Sequence, residues 1–581
     1  MSYDFIFQQA LRLHQDGRFG EAEQLYRQIL ETAPDNPDVL NLLGLIAQVK
    51  GLHAEASELF YKAVKQAPEH APFYFNLAVS LDNLNKPGEA AEAYQRVLKL
   101  QPENKEALYG LGNIEKSRGN QQAAENYYRR ALMIDNGYVE PQAELALMEN
   151  NPLAALNKLR NNYPDHPLPL YCLSSLSFAA GDYRQALKYA EETLNKAPNN
   201  PEALLQLAQS YLMLQEDEKA SRYFGEVLDI DNRSIPALVN LGSIESRHGN
   251  FAAAEKHFKT ALNIEPQNLE ALVNYADMLY RAGRTQESVE IYHQAVIINP
   301  DRPEISNNLG IILKDLQDYE EALGLFLNAF LKSPETEDFS VNICETLILL
   351  YRQNSEQAIK IAEKWLKTAP DNVFARHINN AFKNKTDENP ADYSRKLFDH
   401  FAENYEQILQ NINYSVPQKI KDIIGTPAGT IVDLGCGTGL AAAAIKSSEN
   451  HFIGVDISEN MLNEARSKHL YDELIKDDIL HFAEHALPSY HPDLILAADV
   501  FCYLGCLAEI LRLCAPGKLV FSVEKSNIPG FHITPSGRYQ HHPDYVKELL
   551  TKSGYSQYKE YPLILRQENG RDVEGLIFVA E

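Results

Sequence analysis

The chain is poor in the residues that build metal and redox sites. Its six cysteines, Cys172, Cys344, Cys436, Cys502, Cys506 and Cys514, are scattered with no C-x-x-C pair. They read as free buried thiols of a reducing compartment. Cys502 and Cys506 would need two further ligands to hold zinc, and none is placed for it. His481 and His485, at i and i+4, also have no third ligand, so no metal is expected. Long apolar runs are missing too: none reaches the ~18 residues that span a bilayer, and no membrane partner is expected. Met1-Ser2-Tyr3-Asp4 lacks the basic start and apolar stretch of a secretory signal, which makes a cytoplasmic location the expectation. Positive charge is scarce as well. The net charge is -26. Residues 391–581 hold 17 Lys+Arg and 26 Asp+Glu, a net -9, which leaves -17 for residues 1–390. Neither part has the surplus that phosphate neutralisation requires, so nucleic acid is not expected as the main partner, a local basic groove aside.

What is present is a period. At 581 residues more than one core is required, and over residues 1–386 one unit repeats. Blocks of 34 residues start at Tyr3, Pro37, Ala71 and Lys105, a shorter block runs from Val139 to His166, and the spacing resumes at Pro167, Pro201, Ile235, Leu269 and Pro303. A last block, Glu337–Asn372, carries two extra residues, and Val373–Lys385 reads as a closing helix. The eighth place is small (Gly44, Ala78, Gly112, Gly310), the twentieth is alanine (Ala22, Ala56, Ala90, Ala322), and an aromatic follows four residues later (Tyr26, Phe60, Tyr128, Phe326). A proline closes most blocks, as at Pro34, Pro68 and Pro334. Each block therefore predicts two amphipathic helices: small residues allow close approach, the aromatic fills the space between, and proline stops the second helix.

This pattern closely resembles the tetratricopeptide repeat, about ten or eleven times over. Since one repeat cannot bury its own apolar face, a stacked superhelix is expected. The resemblance implies a scaffold that binds a protein or peptide in the groove lined by first helices. Gln206, Asn240, Asn274, Asn308 and Asn342 hold the sixth place of five consecutive blocks. A carboxamide carries donors and an acceptor, so this row could bond the backbone of an extended peptide. The same residues could instead support neighbouring turns.

Repeat phase is lost at Lys385-Thr-Asp-Glu-Asn-Pro390, a polar linker. From residue 391 to 581, strand-like runs (Thr430–Leu434, Phe452–Val455, Leu494–Ala497, Leu519–Val523) alternate with helix-like ones (Leu440–Lys446, Glu459–Lys468, Tyr503–Cys514, Pro543–Ser553). Alternation predicts an α/β doubly wound domain around a parallel sheet, with Tyr558–Leu565 and Gly575–Ala580 as an antiparallel pair.

The chemistry sits in Ile431-Val-Asp-Leu-Gly-Cys-Gly-Thr-Gly439, a strand running into alternating glycines and then a helix. Glycine allows the tight turn and lets a ligand approach the backbone. A dinucleotide fingerprint would need glycine at 440, where this chain has Leu440. The G-x-G-x-G form behind Asp433, with Gly435, Cys436, Gly437 and Gly439, resembles motif I of class I methyltransferases, which implies S-adenosylmethionine as cofactor. Further elements follow in order. Asp456 closes the second strand, where a carboxylate can accept both ribose hydroxyls, with Ile457 and Met461 flanking the adenine. Asp477 or Asp478, beside Ile479, could take the adenine amino group, and Asp499 with Val500 ends the fourth strand beside the methyl donor.

Tyr393–Ala402 and Ser536–His542 resemble the matching segments of bacterial tetratricopeptide-repeat methyltransferases, and the resemblance places Tyr405 over the cofactor. His541 and His542 are expected in a loop facing the crevice, His541 as base and Arg538 as holder of an acidic substrate; the pair could equally cap the helix at Pro543. Three functions remain open: a methyltransferase whose arm recruits a protein or peptide, a small-molecule methyltransferase with the arm used for assembly, and a scaffold whose domain binds cofactor without turnover.

Overall fold

The 34-residue period becomes pairs of helices packed side by side. The computed structural model describes residues 3–386, 390–515, 517–568 and 570–581. Met1, Ser2 and the linker residues Asp387, Glu388 and Asn389 lie outside them, and with these half of the boundary expected at Lys385–Pro390. The chain divides into two compact units, Met1–His248 and Gly249–Glu581. In the first, Pro37–Val49 pairs with His53–Gln66 and Lys105–Ser117 with Gln121–Ile134. In the second, Leu269–Arg281 pairs with Thr285–Ile298 and Pro303–Asp315 with Tyr319–Lys332.

The repeated residues do what their sizes require. Tyr26, Phe60, Tyr128, Tyr292 and Phe326 are fully buried, as are the alanines at the twentieth place. A Cβ added at Gly44 would stand 2.5 Å from the Phe60 ring, and one at Gly310 would stand 2.6 Å from Phe326, so the eighth place is small because the aromatic occupies that space. Asn36, Asn104, Asn200, Asn268 and Asn372 each accept a backbone amide at the start of the following helix. The short block holds helices Val139–Met148 and Pro152–Asn162, of 10 and 11 residues against the usual 13 and 14. In the last block the first helix, Glu337–Gln353, lengthens to 17 residues, and only Asn354 separates it from Ser355–Thr368.

The second unit continues through the helices Val373–Phe382 and Pro390–Phe401 into a nine-stranded sheet. Its strands are β1 (Gly429–Leu434), β2 (Asn450–Asp456), β3 (Glu473–Lys476), β4 (Leu494–Ala497), β5 (Leu519–Lys525), β6 (Phe531–Ile533), β7 (Tyr539–His541), β8 (Tyr558–Glu568) and β9 (Arg571–Ala580). The order β3-β2-β1-β4-β5 is parallel throughout, and β9 joins β5 antiparallel with β8 outside it. Val432, Leu434, Ile453, Ile495 and Phe521 are buried in the sheet core, as a sheet covered on both faces demands.

The short hairpin β6–β7 falls within a segment expected to be a loop. Because β9 lines β5 along Leu519–Glu524, β4 and β7 must share the other edge. β7 pairs with Glu524 and Lys525, just beyond the stretch taken by β4, so the hairpin extends the sheet at its C-terminal edge. Crossover connections bring the turns after β1, β2, β3 and β4 to that same edge, where ligands of doubly wound sheets bind.

Candidate active site

The glycine turn after β1 is tied to the end of β2. Gly435 and Cys436 donate their amides to the Val455 carbonyl at 2.8 and 3.0 Å, and Gly437 donates its amide to Asp456 Oδ2 at 2.8 Å. Gly435 has φ +68°, and a Cβ there would lie 2.5 Å from Val500 Cγ2, so this place is restricted by both backbone and neighbour. Gly437 has φ +52°, and a Cβ there would meet nothing nearer than Tyr405 at 3.9 Å. That Cβ would take up the open space of the cleft.

Asp456 is 6% exposed. Its Oδ1 accepts the Ser458 amide at 2.9 Å, so each oxygen has one backbone donor and keeps acceptor capacity. Burial pushes its pKa up to about 6, against the pull of the Ser458 and Gly437 amides. Ser458 in turn caps the helix Glu459–Ser467 through the Met461 amide, which fixes Met461 over the turn.

Beyond these residues opens a cleft of about 360 Å³. Of the residues expected at a cofactor site, it brings together Gly435, Gly437, Asp456, Ile457 and Met461 from the first two turns, Asp478 and Ile479 after β3, Asp499 and Val500 after β4, and Tyr405. Asp478 Oδ1 caps the helix Ile479–His485 through the Leu480 and His481 amides, at 2.9 and 3.2 Å.

Four expected cofactor residues stand elsewhere. Asp433 is buried behind the turn and accepts the Tyr471 hydroxyl at 2.7 Å; burial raises its pKa to about 7, with that hydroxyl opposing. Cys436 lies beside it around a separate void of about 40 Å³, and burial lifts its thiol pKa far up. Gly439 starts the helix Leu440–Ile445. Asp477 is turned to His481 Nδ1, 2.8 Å away.

The two histidines do not face the cleft. His541 is a strand residue, fully buried, whose Nε2 meets the Gly505 carbonyl at 2.9 Å. Burial pushes its pKa down to about 4, and the expected base is thus walled off from any acceptor. His542 accepts the Asp544 amide at the start of the helix Pro543–Lys552, the capping alternative. Arg538 is engaged by Glu568 and by the Tyr503 hydroxyl, the latter at 3.3 Å, so it is not a free anion clamp.

Several cleft residues escaped the sequence reading: Ala391, Ser394 and Phe398 on the helix Pro390–Phe401, and Tyr503 and Leu504 after β4. The i, i+3, i+7 spacing of the first three was a usable signal, since it puts them on one helix face. Phe398 meets Tyr405 edge-on at 6.0 Å and Tyr503 at 5.1 Å. Beneath them lies a buried charge cluster that no motif announces. Arg566, 1% exposed, pairs with Glu524, with Glu568 at 2.8 Å and with Asp499 at 3.3 Å. Asp499 holds φ +58°, and its carboxylate is committed to that arginine.

The carboxamide row is partly engaged. In the first unit Gln206 is buried, accepting from the Ser175 hydroxyl at 3.3 Å, and Asn240 donates to the Pro236 carbonyl at 2.8 Å. In the second, Asn342 donates to Asn307 at 2.9 Å and Asn308 approaches the Tyr292 hydroxyl at 3.5 Å, while Asn274 is half-buried. A free row of five does not form, because Gln206 is covered.

A family model described as a methyltransferase domain matches residues 432–517. Tetratricopeptide-repeat models match residues 7–71, 75–139, 177–241 and 247–309. A demethylmenaquinone methyltransferase of Listeria monocytogenes is 26% identical over 202 residues, 32% of this chain and 83% of the relative. One from Symbiobacterium thermophilum is 30% identical over 154 residues, 24% of this chain and 61% of the relative. Among solved structures, a tetratricopeptide-repeat protein of Thermus thermophilus has 22% identity over 31% of this chain and 99% of its own, with a TM-score of 0.28. Repeat models and a methyltransferase-domain model on one chain fit a tetratricopeptide-repeat-containing class I methyltransferase, and the curated relatives are bacterial methyltransferases.

Proposed function

We propose that the chain transfers a methyl group from S-adenosylmethionine and that residues 1–386 form an arm docking a protein or peptide. The observation that carries the cofactor reading is Asp456: a buried carboxylate at the end of β2, oriented by the Gly437 and Ser458 amides and lining the cleft. The donor set fits. Asp456 accepts two vicinal hydroxyls, Ile457, Met461 and Ile479 give flat apolar walls for a base, and Asp478 takes an exocyclic amino group. Gly437 leaves the space that a side chain would fill.

When bound, the sulfonium supplies an electrophilic methyl group. The protein's part is positioning, which accounts for much of the acceleration of an in-line displacement. Phe398, Tyr405 and Tyr503 exclude water from the end of the cleft near Asp499. With His541 walled off and Asp499 paired to Arg566, acceleration rests on orientation and on an acceptor that arrives already nucleophilic.

The small-molecule reading has its own support. Phe398, Tyr503 and Leu504 make the far end of the cleft apolar, and the Listeria relative is named for a demethylmenaquinone. Incubating the protein with radiolabelled S-adenosylmethionine and a cell lysate separates the two. Label entering protein supports the arm as substrate dock; label entering small metabolites supports the second reading; label entering neither refutes transfer. Cytoplasmic residence belongs to this proposal as well; among the described residues no helix is long and apolar enough to cross a membrane.

A further inference from the structure

The helix Pro390–Phe401 has two working faces. Ala391, Ser394 and Phe398 line the cleft. The opposite face belongs to the core of the last repeats: Tyr393 is buried there, with Leu397 and Phe401 packed alongside. The Lys396–Glu337 ion pair at 3.0 Å and a contact of His400 Nδ1 with Asp338 at 3.1 Å join the same helix to the start of the helix Glu337–Gln353. At the same end of the helix the Asp399 carboxylate accepts the hydroxyl of Ser458, two residues from Asp456, at 2.6 Å, and the Asp399 backbone carbonyl accepts the Asn460 side-chain amide at 3.0 Å.

His377, on the repeat helix Val373–Phe382, sits where these attachments meet. It is 2% exposed, and its ring stacks on Tyr393 with centroids 3.6 Å apart and planes 13° from parallel. Its Nε2 reaches the Gly537 carbonyl at 2.9 Å, in the turn of the hairpin β6–β7. A Cβ on Gly537 would come within 2.9 Å of that nitrogen, so the hairpin turn and the imidazole are fitted to each other. One side chain of the repeat array thus touches both the helix that covers the cleft and the hairpin that extends its sheet.

We infer that His377 is a positioning residue for the methyltransferase cleft: through Tyr393 it sets the helix Pro390–Phe401, and with it how closely Phe398 covers the bound cofactor. The inference rests on the S-adenosylmethionine reading above. Its physical content is reciprocal. If the terminal repeat biases the covering helix, a ligand under that helix must in turn stabilise the terminal repeat.

Two measurements on the full chain test this, with S-adenosylmethionine as the probe. In hydrogen exchange, the cofactor slows amides of Val373–Phe382, outside the cleft. In stopped-flow release, His377→Ala speeds dissociation on the order of fivefold or more, the low end of ordinary coupling between sites. His377→Gln, which keeps a side-chain N–H for the Gly537 carbonyl, recovers part of the difference. Phe398→Ala speeds release alone and adds little on top of His377→Ala, because both act through one helix position. Protection confined to residues beyond 390, or a His377→Ala protein that melts lower yet releases cofactor at the unaltered rate, overturns the inference. Should His377→Ala fail to fold, the exchange measurement on the unaltered chain decides. Absence of binding by the unaltered chain would instead remove the cofactor reading and this inference with it.

Discussion

Asp456 Oδ2 and the Gly437 amide are 2.8 Å apart, which makes the end of β2 and the glycine turn after β1 a single preorganised element. The carboxylate is held in place before any ligand arrives, and the turn gains an anionic partner for an amide that glycine alone could not orient.

The turn tolerates no side chain at Gly435. Its φ of +68° costs an L-residue about 1–2 kcal/mol, and a Cβ would meet Val500 at 2.5 Å. Gly435→Ala should lower the unfolding free energy of the chain by about 2–4 kcal/mol in urea, clash and backbone together. Adding Val500→Ala should recover only the clash; full recovery would show that the backbone carries no strain.

Burial of Asp433 makes stability depend on pH in a stated direction. Its folded pKa is raised from 3.8 to about 7, so the native state keeps a proton that the unfolded chain releases. The contribution is complete below the unfolded pKa and is lost as pH rises toward about 7. The melting temperature of the ligand-free chain should therefore fall between about pH 4 and pH 7 relative to Asp433→Asn, which has no proton to lose, and level off above that. Parallel curves for the two proteins would contradict this.

Arg566 is buried among Glu524, Asp499 and Glu568; burial and Arg538 work against its charge, while the three acids raise its pKa. Arg566→Met would leave Asp499 without its cation and Glu524 and Glu568 with Arg538 alone, at about 3–5 kcal/mol. Denaturant unfolding reads the loss directly, and a change under about 1 kcal/mol would mean the acids find other partners.

Legibility followed periodicity. The repeats were readable because Ala22, Tyr26 and their equivalents recur in phase, and the parallel strands because short apolar runs end in glycine or aspartate. The hairpin Phe531–His541 was not, since two three-residue strands joined through Ser536-Gly537 have no period to detect. Asp433 and Asp456 look alike in sequence, each at or next to the end of an apolar strand. Only packing separates them, Tyr471 covering one and the cleft exposing the other. His541 was misjudged for the same reason: its neighbours suggested a loop, whereas pairing with Phe531 buried it. The covering face of Pro390–Phe401 was legible in principle, but nothing local says which side of that helix meets a ligand.

The central claim is that Asp456 and the glycine turn hold S-adenosylmethionine, and calorimetric titration of the full chain tests it most directly. The account predicts one-to-one binding that Asp456→Ala weakens by about 1–3 kcal/mol, as loss of hydrogen bonds at a buried site does. It also predicts affinity that declines as pH falls below about 6, where the Asp456 carboxylate takes up its proton. No binding by the unaltered chain, or equal affinity in the variant, would contradict it.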